Sequence, residues 1–405
     1  MLILENVALA DLETADLHPG CHVALEGDVI REVSDRPIRS DAAERLNLGG
    51  RCLLPGLIDA HFHAMLSANP SQARDVPQTL CTARAAKLLR DSLLRGFTTV
   101  RDMGGADWGL RAAVAEGTIQ GPRLFIAGRA LSQTGGHGDL RSRTETYEPC
   151  SCSNALALMS VVADGKDAVQ AATREQLRQG VDHVKVFVSG GVASPNDPLT
   201  SVQYTDEELA AIVQEARHWG VYVAAHAYTA ASIKRAVGVG IRTIEHGNLL
   251  DDTAARSMAE RQAYLVPTLI TYQALTRRGA SLGLTAEMSS KLNAVLEAGF
   301  ASVEIALKAG VRIGFGTDLL GEMHEHQSEE LTLRANVQRP ADVIAAATIV
   351  NAEILGMAGK LGVIAPDAFG DLIAVEGNPL EDLSLLHSDR LDLIMKGGRM
   401  IHSRL

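Results

Sequence analysis

Eight short apolar runs alternate with helical patterns between about residues 55 and 320, and this alternation restricts the possible folds more than any other feature of the chain. The intervening stretches, such as TARAAKLLRDSLLRG and TDEELAAIVQEARHWG, are amphipathic and end in glycine, and Thr205 with Glu208 forms a capping box. Parallel strands need crossover helices of this kind, and eight such strands can close on themselves. We therefore predict an α/β protein containing a (β/α)8 TIM barrel. The predicted strands are GLIDAHFH, FTTVRDMG, RLFIAGRA, HVKVFVSGG, VYVAAHAY, RTIEHGN, YLVPTL and RIGFGTD.

The two ends of the chain have a different sequence pattern. Residues 1–54 and the stretch from about 370 to 405 consist of short alternating segments separated by turn residues. Because chain termini often lie close together, we expect both ends to form one small β-sandwich domain, residues 1–54 and 356–405, beside a barrel of residues 55–355. Pro340 to Leu355 is predicted as a closing helix, in which Asn351 gives no chemical signal.

The amino-acid composition restricts the kinds of molecule that this protein can bind. The chain has 38 Lys and Arg against 49 Asp and Glu, a net charge of −11, which disfavours nucleic acid and anionic membranes and favours a small-molecule substrate. The first residues lack the basic segment of a secretory signal, and no apolar run is long enough to span a bilayer, so we expect a cytoplasmic protein. We also expect the protein to form a homo-oligomer. Five scattered cysteines argue against a disulfide framework. Cys150 and Cys152 are expected to be free loop thiols rather than a soft metal-ligand pair.

Histidines and one carboxylate occur at the ends of the predicted strands. His61 and His63, two residues apart, project from the same face of the first strand. His226, His246 and Asp318 end three later strands. Taken singly, each later histidine is as well explained as a hydrogen-bonded core residue, and Asp318 as a helix cap. Taken together at the carboxyl end of one barrel, they match the ligands of zinc or another divalent transition metal.

Lys185 lies in the middle of HVKVFVSGG, a run that is otherwise typical of a strand buried on both faces. A buried ammonium group would repel metal cations. If burial makes the amine neutral, it can react with carbon dioxide and form an anionic carbamate that bridges two metal ions. An ion pair with a carboxylate is the alternative, and we favour the carbamate because no acidic residue adjoins Lys185 on the strand.

The motifs GLIDAHFH, HVKVFVSGG, AAHAY, IEHGN and FGTDLLGE occur in order over nearly the whole chain. Together they resemble the amidohydrolase superfamily, in the binuclear-metal subtype with a carboxylated lysine on the fourth strand. RALSQTGGHGD, SGGVASP and AHAYTAASIKRAV are similar to the prolidase-like branch, the Xaa-Pro dipeptidases and carboxypeptidases, which is related to imidazolonepropionases. The resemblance implies an enzyme with two divalent metal ions, which we expect to be zinc, and a carbon dioxide-derived carbamate on Lys185.

The resemblance also implies a ligand assignment. His61, His63 and Asp318 would hold the buried metal ion, and His226 and His246 would hold the second ion. The carboxylated lysine would bridge both ions, and a hydroxide shared by them would be the nucleophile. Asp318 would take its proton and pass it to the leaving amine.

Two further residues are candidates for substrate binding, His137 through the resemblance and Tyr228 through its position on the strand. His137, in TGGHGD, would help to polarise the scissile carbonyl, although a solvated loop histidine is the alternative. Tyr228 faces the same way as His226 and could donate a hydrogen bond to a substrate carboxylate, or could simply pack. The glycine turn of SGGVASP could also receive an anionic terminus.

The predicted reaction is hydrolysis of the amide bond of a dipeptide or N-acyl amino acid with a free C-terminal carboxylate, with proline or a hydrophobic residue favoured there. Aromatic N-acyl amino acids of the ochratoxin type are the neighbouring alternative. Ring deamination or cyclic-amide opening is disfavoured, because HAYTAAS lacks the glutamate that follows the fifth-strand histidine in deaminases. A non-catalytic barrel would be expected to have lost ligands, and all six are present.

Overall fold

A computed structural model describes residues 1–66, 76–146, 158–192, 194, 197–278 and 285–405 of the chain. Cys150, Cys152 and part of the SGGVASP turn lie outside these residues. Within them, no helix combines the length and apolar character needed to cross a membrane.

The strands and helices follow the alternation seen in the sequence. In chain order the strands are β1 (Leu2–Asp11), β2 (Asp16–Glu26), β3 (Val29–Ser34), β4 (Glu44–Asn47), β5 (Cys52–Pro55), β6 (Leu57–Phe62), β7 (Phe97–Asp102), β8 (Arg123–Ile126), β9 (Ala130–Ser132), β10 (Ser160–Val162), β11 (His183–Phe187), β12 (Tyr222–Thr229), β13 (Thr243–Leu249), β14 (Tyr264–Val266), β15 (Arg312–Ile313), β16 (Leu372–Val375), β17 (Leu391–Lys396) and β18 (Arg399–Ser403). The helices are α1 (Gln78–Leu94), α2 (Trp108–Ala115), α3 (Lys166–Arg178), α4 (Asp206–His218), α5 (Ala230–Val239), α6 (Asp252–Glu260), α7 (Leu269–Arg278), α8 (Ala286–Lys308), α9 (Glu329–Arg334), α10 (Pro340–Ala345) and α11 (Asn351–Ile354).

The barrel is built from parallel strands in sequence order. β6, β7 and β8 pair in one run, and β9, β11, β12, β13, β14 and β15 pair in another. Backbone hydrogen bonds join the two runs, from Ala60 to Phe315 on one side and from Asp182 to Ile126 on the other, each 2.9 Å long. β8 and β9 follow one another closely in the chain and together correspond to the predicted third strand, RLFIAGRA. With these two counted as one strand, the predicted eight-stranded TIM barrel is confirmed.

Period-two alternation decides which side chains enter the barrel. Val184 and Val186 pack outward among apolar residues of the surrounding helices, such as Leu209 and Ile212 of α4. Lys185 lies between them on β11 and therefore projects inward, where only 2% of its surface is exposed. α4 begins as predicted, since Thr205 accepts from the Glu208 amide and Glu208 accepts from the Thr205 amide.

Both chain ends join in one eight-stranded sheet, in which β5 and β16 pair antiparallel. Ile373 and Val375 of β16 face the apolar cluster shared with the barrel, whereas Leu372 and Ala374 face the interior of the terminal domain. The small β-domain built from both termini is thus present, and its exact boundaries at residues 54/55 and 355/356 stay a prediction.

The closing segment consists of α10, a π-helical turn over Ala346–Val350, and α11. Asn351, the first residue of α11, is fully buried. Its amide nitrogen donates to the carbonyls of Ile58 (2.6 Å) and Phe315 (2.8 Å), and its oxygen accepts from the Phe315 amide (3.0 Å). Asn351 therefore connects the first barrel strand to the chain that follows the last one.

Candidate metal centre

Three predicted ligands converge at the carboxyl end of the barrel. Asp318 Oδ1 lies 3.4 Å from His61 Nε2 and 3.3 Å from His63 Nε2. The three donor atoms lie within 4.8 Å of one another, as the ligands of a single ion must. The contact depends on β6 and the end of β15 being adjacent, which the 2.8 Å hydrogen bond from the Asp318 amide to the His61 carbonyl maintains.

Unusual backbone conformations cluster at this rim. Asp318, His246 and Thr268 have positive φ values of 50°, 74° and 48°. Residues other than glycine adopt this left-handed region at a cost, and such positions concentrate at functional sites. The three side chains lie close together, with His246 Nδ1 2.8 Å from Thr268 Oγ1 and 3.9 Å from Asp318 Oδ2.

Each of the four predicted histidine ligands has one ring nitrogen bound to a protein partner. The pairs are His61 Nδ1 with Glu245 Oε2 (2.8 Å), His63 Nδ1 with the Gly104 carbonyl (3.1 Å), His226 Nε2 with the Gly190 carbonyl (3.1 Å) and His246 Nδ1 with Thr268 Oγ1 (2.8 Å). Metal-binding histidines are characteristically oriented in this way, because the second nitrogen then presents its lone pair to the ion.

The electrostatics keep most of these rings neutral. Burial holds the pKa values of His61, His226 and His246 well below the ordinary value, and a neutral imidazole is the form that binds a metal ion. Burial alone would raise the pKa of Asp318, but His61 and His63 outweigh it, so the pKa is lowered and the carboxylate stays charged. Burial lowers the pKa of His63, but the hydrogen bond and the charge of Asp318 outweigh burial, so the pKa of His63 is raised. Imidazoles around one carboxylate are a donor set that fits a divalent transition metal.

The other predicted ligands lie beside this group. The ring of His246 is 4.7 Å from the ring of His226 and 4.9 Å from that of His61, centre to centre. Burial lowers the pKa of Lys185 to about 8, and Glu245 and Asp318 act on its charge from a distance. None of the described residues forms an ion pair with Lys185, and the carbamate stays a prediction.

His137 lies against the second histidine pair. Its ring stacks on His226 at 4.4 Å between centres, with 16° between the planes. Its Nδ1 is 2.8 Å from Ser194 Oγ and 3.4 Å from Asp197, which leaves Nε2 for the cavity. A side chain at Gly191 would place its Cβ 2.0 Å from the His137 ring, so glycine is required there.

Tyr228 packs its ring against His246 at 5.2 Å, centre to centre. Its hydroxyl is 3.0 Å from that of Tyr272 on α7, and both side chains are buried. The two hydroxyls therefore form a polar pair at the edge of the predicted centre.

One cavity connects these groups. His61, His63, Lys185, His226 and Asp318 line it together with His137, Ser194, Tyr228 and Tyr272. The remaining wall is mainly apolar, and its side chains include Leu66, Leu140, Met159, Phe187, Val192, Leu275 and Leu320. The sequence-predicted residues are therefore brought together, while their individual roles stay predictions.

Several polar residues at the centre were not predicted from the sequence. Glu245 and Arg101 are completely buried inside the barrel, and Asp59 accepts hydrogen bonds from the His61 amide, from the amide and hydroxyl of Thr317, and from Gln327. Burial raises the pKa of Asp59 to about 6. Asp59, Arg101 and Glu245 are charged residues within otherwise buried strands. The same signal identified Lys185 and could have identified these three residues.

Comparison with known proteins agrees with this geometry. The sequence model of the amidohydrolase family matches residues 52–401. The ochratoxinase of Aspergillus niger is 31% identical over 363 residues, covering 86% of this chain and 75% of that protein. The crystal structure of a prolidase complexed with N-methylphosphonate-L-proline has a TM-score of 0.97 at 45% identity and covers 100% of both chains. A Xaa-Pro dipeptidase with bound methionine in the active site has a TM-score of 0.90 at 29% identity, covering 99% of this chain and 100% of the other.

Proposed function

The chain belongs to the amidohydrolase family and is a hydrolase of amide bonds, and we propose that it cleaves dipeptides or N-acyl amino acids that have a free C-terminal carboxylate. The observation that carries this proposal is the convergence of His61, His63, His226, Asp318 and Lys185 on one cavity. His246 packs against His61 and His226 beside it, and one ring nitrogen of each of these four histidines is held by the protein. The similarity to a prolidase and a Xaa-Pro dipeptidase supports the substrate class.

Two divalent metal ions, for which zinc suits the imidazole and carboxylate donors, are the proposed cofactors. His61, His63 and Asp318 would hold one ion, and His226 and His246 would hold the other. Bound there, the ions would supply the Lewis acidity that activates water and polarises the scissile carbonyl.

Lys185 would complete the centre as a carbamate. Its neutral amine adds to carbon dioxide, forms an N–C bond and releases a proton, which leaves an anionic group with two oxygen donors. The lowered pKa of Lys185, about 8, makes the neutral amine accessible near neutrality. The negative charge then balances the cations.

Asp318 is the proposed proton carrier. Its carboxylate lies at the centre of the donor group, in contact with both His61 and His63. As the anion it would accept a proton from the attacking water, and it would then give that proton to the leaving amine, so that one residue acts as base and acid in turn.

His137 and Tyr228 are proposed to bind the substrate. Ser194 holds the Nδ1 side of the His137 ring, so its Nε2 side is available to a substrate oxygen. The Tyr228 hydroxyl, supported by Tyr272, would donate to the terminal carboxylate. These groups hold the reacting amide bond in place, which reduces the entropic part of the barrier.

The apolar wall favours proline or a hydrophobic residue next to the scissile bond. Leu66, Leu140 and Met159 can bury such a side chain, whereas none of the described residues in the wall offers a carboxylate to pair with a basic one except Asp318. The same wall, together with the 31% identity to ochratoxinase, supports aromatic N-acyl amino acids as the second candidate.

A substrate screen tests the proposal. The protein, loaded with two equivalents of zinc, is incubated with N-acyl dipeptide and dipeptide series that vary only the C-terminal residue, and with aromatic N-acyl amino acids. We expect amino acid release, fastest for proline or hydrophobic termini, and loss of activity after chelation. No release from any series would refute the proposal. Ammonia release from cyclic amidines with a single bound metal ion would instead support deaminase chemistry.

A further inference from the structure

A buried chain of charged groups lies beneath the candidate metal centre. Arg101 donates from Nη2 to Glu245 Oε1 at 2.8 Å, and Glu245 Oε2 lies 2.8 Å from His61 Nδ1. Arg101 and Glu245 are completely excluded from solvent. The chain thus runs from a guanidinium group, through a carboxylate, to an imidazole that is part of the proposed centre.

The direction of these hydrogen bonds follows from the donors available. Arg101 can only donate, and the Thr243 hydroxyl also contacts Glu245 Oε1 at 2.6 Å. The carboxylate of Glu245 can only accept, so His61 must donate from Nδ1. His61 is thereby held in the tautomer in which Nε2 carries the lone pair. Nε2 lies 3.4 Å from Asp318 Oδ1, and the proposed metal ion would bind to both atoms.

Arg101 also holds the backbone around His61. Its Nε donates to the carbonyl of Ala60 at 2.5 Å, and its Nη1 lies 3.3 Å from the Tyr222 hydroxyl and 3.2 Å from Thr243 Oγ1. One guanidinium group therefore fixes both the strand that carries His61 and the carboxylate that orients its ring. A charged pair buried this deeply is costly unless its geometry is good, and here every contact has hydrogen-bond geometry.

The other three histidines have weaker partners. Apart from the predicted ligand Asp318, the ring partners within the described part of the chain are backbone carbonyls for His63 and His226 and a hydroxyl for His246, whereas His61 has a carboxylate. A carboxylate partner makes the imidazole a better electron donor to a metal ion than a neutral partner does. The effect should be confined to the ion that His61 binds.

We infer that Glu245, held by Arg101, is a positioning residue that strengthens the binding of the ion ligated by His61, His63 and Asp318 more than that of the other ion. The inference rests on the proposed binuclear centre. It assigns a function to an ion pair that would otherwise only fill the barrel interior.

The inference is tested by titrating the metal-free full chain with zinc in competition with a chromophoric chelator, which gives the dissociation constant of each ion. In Glu245→Gln we expect the dissociation constant of one ion to rise about 10- to 100-fold while the other changes less than about threefold. Glu245→Asp is the second variant, because it keeps the charge beside Arg101 but withdraws the carboxylate from His61. It should weaken the same ion, and it decides the question if Glu245→Gln does not fold.

Glu330→Gln is the matched control, since Glu330 is a second buried carboxyl group beside an arginine, Arg334, and contacts no predicted ligand. It should bind both ions as the wild type does. Glu245 variants that fold and keep both wild-type dissociation constants, or that weaken both ions equally, would overturn the inference. Wild-type protein that binds fewer than two ions would instead refute the proposed function.

Discussion

Replacing Asn351 by Asp should destabilise the protein by an amount that increases with pH. The side chain of Asn351 donates to the carbonyls of Ile58 and Phe315 and accepts from the Phe315 amide, all without access to solvent. Aspartate has nearly the same shape, but its ionised form would present a charge to two carbonyl oxygens and has no proton to donate. The folded variant should therefore keep the carboxyl group protonated, and its single O–H can serve only one of the two carbonyls.

The size of the effect follows from the pH dependence of that proton. An unfolded aspartate ionises with a pKa of about 3.9, so retaining the proton in the folded state costs about 1.4 kcal/mol per pH unit above that value, or about 4 kcal/mol at pH 7. One lost hydrogen bond adds about 1 kcal/mol. The sum is about 5 kcal/mol at pH 7 and about 2.5 kcal/mol at pH 5. Because the folded-state pKa is raised, stability decreases as pH rises through this range.

Urea unfolding of the metal-free wild type and variant at the two pH values measures the difference. Subtracting the wild type at each pH removes the contribution of other buried groups. Asn351→Leu is the control, because it loses the same hydrogen bonds without gaining a titratable group, and its destabilisation should not vary with pH. A destabilisation by Asn351→Asp that is the same at both pH values within about 0.5 kcal/mol would refute the reasoning. The position matters for the site, since Phe315 lies just before Asp318.

Three further predictions concern the site and the barrel. Lys185→Met should lose one of the two bound metal ions, measured by elemental analysis, and most of the amide hydrolysis activity. A short carboxylate in solution should restore part of the rate. A variant that keeps both ions and the full rate would contradict the carbamate. Tyr272→Phe removes the partner of the Tyr228 hydroxyl and should lower kcat/KM about tenfold, mostly by raising KM. Tyr264→Phe, which lies outside the cavity, should leave kcat/KM unchanged. A fall of about tenfold in kcat for Tyr272→Phe would show that the tyrosine pair does not act in binding. Burial raises the pKa of Glu330 from 4.5 to about 8, so between these pH values the folded protein keeps a proton that the unfolded chain loses. The free energy of unfolding therefore decreases as pH rises over this range, by at most about 1.4 kcal/mol per pH unit. Glu330→Gln should flatten this dependence in urea unfolding between pH 5.5 and 7.5, and an unchanged slope would count against it.

Much of the site could be predicted because its signals are local. His61 and His63 share a face of one strand, and Lys185 alternates with two valines, so a two-residue period is enough to direct all three into the barrel. His226, His246 and Asp318 were predicted to end their strands, but His226 and His246 lie within β12 and β13 and Asp318 follows β15, so the alternation of strands and helices placed them only to within a few residues. The membership of the amidohydrolase family and the TIM barrel were predicted from these motifs and are confirmed.

Other features depend on which strands become neighbours. Glu245 meets His61 across 184 residues of sequence, and Asn351 meets Ile58 across 293. Asn351 was interpreted as chemically silent, and Arg101 and Glu245 were not singled out, because a hydrogen bond between distant strands leaves no periodic trace in either segment.

The sequence by itself determined the strands, the helices and the faces on which the candidate ligands lie, because backbone geometry repeats over a few residues and hydrophobic burial follows that repeat. Only the tertiary structure decided which nitrogen of each histidine is held by the protein, how His137 stacks on His226, and how one asparagine closes the barrel. Those outcomes depend on the register and closure of strands far apart in the chain, and the free energy that selects them comes from the packing of the whole barrel.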